Sequence, residues 1–96
     1  MKSCQEILQL LARNKRRFKR TYKVQRIGVF GSIVRGDASS TSDIDILVDV
    51  DPSIGLNFIT LADEIERLLG ERVDVISRRA INPRHWQEIE QDVVYV

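Results

Sequence analysis

Apolar residues at Ile7, Leu8, Leu11 and Phe18 recur at helical spacing behind the capping-box sequence Ser3-Cys4-Gln5-Glu6. Together they predict a helix over about residues 3–19. The run from Gln25 to Phe30 predicts a first strand, and Ile44 to Val50 a second, stopped by Asp51-Pro52. Leu56, Ile59, Leu61, Ala62, Ile65, Leu68 and Leu69 mark a long amphipathic helix that Gly70 ends. Residues 72–76 predict a third strand. Asn82 caps a short helix that opens on Pro83 and runs to about Glu90, and residues 93–96 suit a terminal strand. The order predicts an α/β (α+β) fold, a small mixed β-sheet with packed helices, in one domain over residues 1–96.

Composition narrows the class. With 43% hydrophobic and 30% charged residues the chain can form a core, so wholesale disorder is excluded. At 96 residues, roughly 60–65% of the unfolded surface would be buried. No apolar run approaches the ~20 residues that span a bilayer, and the N-terminus lacks the apolar stretch of a signal peptide. Cys4 is the single cysteine, so an internal disulfide and a zinc cluster are both excluded. A cytoplasmic location without membrane contact is the expectation. The net charge of +1 hides an asymmetry: residues 1–26 hold nine Lys/Arg against one acid, and residues 27–96 hold six against thirteen. The basic stretch is either a solvated helix face or a docking surface for RNA or for an acidic patch on a protein. Aromatic interleaving is limited to Phe18 and Tyr22, which gives stacked single strands little support.

Chemistry concentrates between Gly31 and Asp45, in GSIVRGDASSTSDID. Gly31-Ser32 follows the first strand and precedes a short helix beginning around Ile33. A glycine there lets backbone N–H groups approach an anion, and the Ser32 hydroxyl can donate to a phosphate oxygen. Asp43 and Asp45 stand two apart at the start of the second strand, so their carboxylates share a face. Like charges held that close repel, and an oxygen-seeking divalent cation relieves the repulsion. Asp43 alone could be a turn residue. Asp45 and Asp74, however, sit among Ile and Val in strands and need a partner. Arg35 is either a phosphate ligand or the partner of Asp37 or a loop carbonyl. The polar loop 37–42 suits a substrate entrance. Asp49 and Asp51 are expected outside the site, and His85 and Trp86 are expected to pack or lie on the surface. Tyr22 and Tyr95 are candidate self-modification sites, Tyr95 reading first as a strand residue.

Gly-Ser, ten residues, then Asp-x-Asp, with Asp74 as a third acid on a later strand, resembles the nucleotidyltransferase superfamily of DNA polymerase β. Within it, Arg35-Gly36 and Ser42 add a likeness to the minimal nucleotidyltransferases, antitoxins usually paired with a HEPN-domain toxin. Ile33-Val34 departs from that pattern, where relatives often carry an aromatic or polar residue and then Ala, and this leaves the nucleotide open. The resemblance implies a polymerase β-type fold and two Mg²⁺ ions held by Asp43, Asp45 and Asp74 as the catalytic and metal-binding residues. It implies Gly31, Ser32 and Arg35 as the nucleotide-binding set and ATP as the substrate. Larger relatives append a substrate-binding domain after the third strand, and almost nothing follows it here, so the acceptor is expected on another protein. The implied reaction moves AMP to a hydroxyl, a tyrosine of a HEPN ribonuclease, and so silences that toxin. A binding module that neutralises by contact and an RNA-end nucleotidyltransferase are the rival classes. The oligomeric state, a homo-oligomer included, stays open.

Overall fold

A computed structural model describes all of residues 1–96. Helix α1 (Cys4–Tyr22) opens on the expected capping box: the Glu6 N–H donates to Ser3 Oγ at 3.1 Å, and the Ser3 N–H donates to Glu6 Oε1 at 3.0 Å. It runs one turn beyond the expected end at Lys19. Tyr22 extends the apolar stripe one turn past Phe18, their ring centroids 6.3 Å apart. Lys23, left-handed at φ 58°, then closes the helix by donating its N–H to the Lys19 carbonyl.

Strand β1 (Val24–Phe30) runs antiparallel to β2 (Ile44–Val50), with the one-turn helix α2 (Ser32–Arg35) between them. A bulge between Val24 and Arg26 lets Val24 and Ile27 both face the core despite their odd spacing. A 3-10 turn, Pro52–Ile54, leads to α3 (Asn57–Leu69), which Gly70 ends in the left-handed region. That helix is the crossover a parallel pair requires, and β3 (Val73–Ser77) lies parallel to β2. A second 3-10 turn, Arg78–Ala80, precedes α4 (Pro83–Ile89), capped by Asn82, whose side chain accepts from the His85 N–H. Strand β4 (Val94–Tyr95) returns beside β1. The sheet order β3-β2-β1-β4, with one parallel and two antiparallel pairs, is the mixed α/β sheet expected.

Alternation along β2 decides what each face does. Ile44, Ile46, Val48 and Val50 point to α1 and α3, where they meet Ile7, Leu11, Phe18, Leu61, Ile65 and Leu69 in one core. Asp45, Leu47 and Asp49 therefore point to the other face. Leu47 is buried there too, because the Arg78–Ala80 turn lies against β2. Gly28, opposite Tyr95, lets β4 come close: a Cβ at that position would stand 2.8 Å from the Val94 carbonyl oxygen. Gly28→Ala should therefore destabilise the fold by about 1–3 kcal/mol, the usual cost of overpacking. A lowered urea midpoint with an unchanged slope would show it, and an unchanged midpoint would mean that β4 is not held there.

Candidate active site

Cross-strand register gathers the acids. Asp45 on β2 is paired with Phe30 at the end of β1 and with Asp74 on β3. Neighbouring strands lie about 4.8 Å apart, so Asp45 and Asp74 are side-by-side acids on the face away from α1 and α3. Asp43 precedes β2 by one residue, and its Oδ1 accepts from Arg72 Nε at 3.1 Å. Arg72 stands two before Asp74, so it ties the first acid to the strand that carries the third. Asp43 and Asp74 are exposed, and Asp45 is half-buried.

Burial pushes the Asp45 carboxyl up from the ordinary 3.8, and the charges of Asp74 and Asp43 push it further; Arg35 opposes them weakly, and no hydrogen bond contributes. Gly31 explains how a carboxylate reaches so far inward. Its φ of 80° favours glycine, and a Cβ there would overlap Asp45 Oδ2. The Gly-Ser turn and the Asp-x-Asp strand thus touch. Ser32 opens α2, whose first N–H groups, like those of any helix, have no intrahelical partner.

The donor set suits a hard cation. Asp45 and Asp74 stand side by side with Asp43 near them. Arg72 is bonded to Asp43, and Arg35 is engaged elsewhere, donating from Nη1 to Asp92 at 2.8 Å and from Nε to Asp37 at 3.4 Å. No three acids stand close enough to enclose an ion by themselves. That suits Mg²⁺, which completes its shell with phosphate and water. Two clefts flank the acids. One, of about 230 Å³, lies between the Gly31 turn and α4, where Asp45 and Arg35 face Glu88, Ile89 and Asp92. It is smaller than the ~300–1,000 Å³ of small-molecule pockets, so it has room for part of a nucleotide only. The other, of about 300 Å³, is wholly polar and runs from Ser40, Thr41 and Ser42 to Glu71 and Arg72, beside Asp43.

Glu88, Ile89 and Asp92 carry no motif and escape a sequence reading; only the return of β4 beside β1 brings them to the site. Arg35 lines the cavity and also makes the Asp37 contact that its sequence position suggests. Asp51 lies apart as expected, capping the Pro52–Ile54 turn, and the Ser53 hydrogen bonds hold its carboxyl below the usual range. Asp49, expected outside the site, lies near the far end of β2; it shares the face of Asp45 and stands opposite Arg26. His85 is exposed, and Trp86 is half-buried under the Arg78 guanidinium at 3.8 Å. Tyr22 is on the helical side of the sheet, where Glu64 raises its phenol above the ordinary value. Tyr95 is covered by Arg26 at 3.7 Å. No helix is long and apolar enough to cross a membrane.

Residues 9–96 match the family model described as "Nucleotidyltransferase domain". The chain is 41% identical over 98 residues to the protein adenylyltransferase MntA of Thermococcus cleftensis, covering all of this chain and 98% of that one. A Methanocaldococcus jannaschii protein named "Putative protein adenylyltransferase MJ1379" is 40% identical over 101 residues, with both chains covered in full. Among solved structures, one described as "Structure of putative minimal nucleotidyltransferase" superposes with a TM-score of 0.72 at 32% identity, covering 92% of this chain and 93% of that one. Another, described as "Crystal structure of the toxin-antitoxin with AMP-PNP", gives 0.62 at 26% identity, covering 95% of this chain and 69% of that one.

The raised carboxyl of Asp45 makes a stability prediction. A carboxyl raised in the folded state favours folding fully below 3.8, and that contribution is lost as pH rises through the raised value. At neutral pH the charged Asp45 therefore costs stability, and Asp45→Asn should melt higher than the parent. The gap should close on acidification to 3.8. Thermal unfolding across that range measures it; equal midpoints at neutral pH would show that neither burial nor the neighbouring acids disfavour the charge on Asp45.

Proposed function

This chain belongs to the nucleotidyltransferase domain family, and on that premise we propose that it moves AMP from ATP to a hydroxyl of a partner protein. The observation that carries the reading is the contact of the Gly31 turn with Asp45, beside Asp74. It sets a glycine turn that could take a phosphate against paired acids. The relatives named protein adenylyltransferase support AMP and a protein acceptor, and the toxin–antitoxin structure with AMP-PNP supports an adenine nucleotide and a partner. The family resemblance makes that partner a HEPN ribonuclease toxin, modified on tyrosine, with this chain as its antitoxin.

Gly31 N–H and Ser32 hold the β- and γ-phosphates, and Arg35, freed from Asp92, adds charge to them. Asp43, Asp45 and Asp74 would hold two Mg²⁺ ions, which would supply the charge that steadies the oxygens of an in-line displacement. The acceptor oxygen bonds to the α-phosphorus as the bond from that phosphorus to the bridging oxygen breaks. Pyrophosphate leaves, and the acceptor proton passes to Asp74 and on to water.

The test is incubation of the chain, ATP labelled at the α-phosphate, Mg²⁺ and the candidate toxin. Label should appear on the toxin with release of pyrophosphate, and EDTA should prevent it. Asp45→Asn should lower the rate by at least ~10²–10³, as removal of a principal electrostatic group commonly does. A triple Asn variant of Asp43, Asp45 and Asp74 that neutralises the toxin as well as the parent would overturn the reading in favour of contact alone.

Arg35 gives a separate expectation. Its bond to Asp92 competes with phosphate, and an exposed pair of this kind is worth about 0.2–1 kcal/mol. Asp92→Asn should therefore tighten ATP binding by up to about fivefold. Calorimetric titration measures it, and weaker binding would place Asp92 among the groups that hold the nucleotide.

A further inference from the structure

The basic N-terminal stretch divides in the structure. Arg17 turns inward along the helix flank, bonded to Glu64 and lying 4.9 Å from the centre of the Phe18 ring. Arg13, Lys15, Arg16, Lys19 and Arg20 are exposed, and none of them makes an ion pair. Arg13, Arg16 and Arg20 stand at i, i+3 and i+7, so they form one stripe on the solvent side of α1, about 10 Å long. Lys15 and Lys19, four apart, form a second row beside it. Like charges so close repel, and those in the last turn are only partly offset by the helix carbonyl end.

α1 packs on the face of the sheet that carries Ile44, Ile46 and Val48, and the acids occupy the other face. The stripe therefore cannot reach a phosphate bound at Gly31. It is free to take an anionic partner of its own. Two features choose the partner's chemistry. No large apolar side chain is exposed among the cations, only Ala12 and Gln9, so the surface lacks the buried anchors that give protein interfaces their affinity. Phe18 is fully buried and Tyr22 is half-buried, so no exposed ring offers a platform for unstacked bases. A phosphate backbone needs neither. A convex helix face about 10 Å across also matches the ~12 Å major groove of B-form DNA better than the deep, narrow groove of A-form RNA.

We propose that the Arg13–Arg16–Arg20 stripe of α1 is a sequence-independent docking surface for the phosphate backbone of duplex DNA, on the side of the molecule away from the acids. Three to four phosphate contacts would give a slope of about −3 in log affinity against log salt, so that affinity falls roughly 40- to 150-fold between 50 and 200 mM.

Fluorescence anisotropy of the full chain with a labelled 20-base-pair DNA duplex, titrated across that salt range, tests it. The same titration with an RNA duplex and competition with polyglutamate complete the measurement. DNA should bind tighter than RNA. Arg16→Gln and the triple Arg13→Gln, Arg16→Gln, Arg20→Gln variant should each lower the slope by about 0.9 per arginine removed, since Gln keeps helix propensity. Asp45→Asn should bind DNA as the parent does, and the Gln variants, relieved of like charge, should melt no lower than the parent. Salt-independent or absent binding at 50 mM, an unchanged slope in both Gln variants, tighter binding of RNA, or polyglutamate competing as well as DNA would each overturn the proposal.

Discussion

One close approach organises the site: the carboxylate of Asp45 lies against the backbone of Gly31, where any side chain would collide with it. Everything else at the site depends on that contact. Glycine is required there twice, for its positive φ and for its missing Cβ. The turn can then start α2 directly above the second strand, and Ser32 and Arg35 follow at its edge. The acid is forced inward until burial and its neighbours resist its charge. A group so disfavoured persists only where something else uses its charge.

The sheet supplies the means of holding this arrangement. Since β2 alternates, its aliphatic residues secure the helices while its acids are carried on the opposite side without entering the core. Parallel pairing with β3 then sets Asp74 level with Asp45. A one-residue slip in that register would turn Asp74 away and bring Val73 or Val75 to the acid face, so core packing and site geometry are a single requirement.

Much of this was legible in the sequence, for identifiable reasons. Gly31, Ser32, Asp43 and Asp45 are local, and their spacing survives folding because a turn and a strand start impose it. Asp74 could be placed because valine on both sides of it indicated a strand with one polar face. The end of α1 was misplaced because the residues after Phe18 are mostly charged, and Tyr22 alone continues the apolar stripe. Glu88, Ile89 and Asp92 were beyond reach, since the Arg35–Asp92 pair joins positions 57 residues apart. No local pattern encodes such a meeting.

The two-residue strand β4 has a consequence for how the cleft behaves over time. Its ladder to β1 is short, and Val94 is exposed, so this segment has few interactions that would open only with the whole fold. Were it to open, β1, β2 and the helical core would stay paired with one another. Asp92 stands two residues before it, so each detachment would carry away the partner of Arg35 and one wall of the cavity. The cleft thus has one side made by the central strands and one that follows a two-residue ladder. A partner that held β4 down or lifted it would adjust access to the acids without touching them.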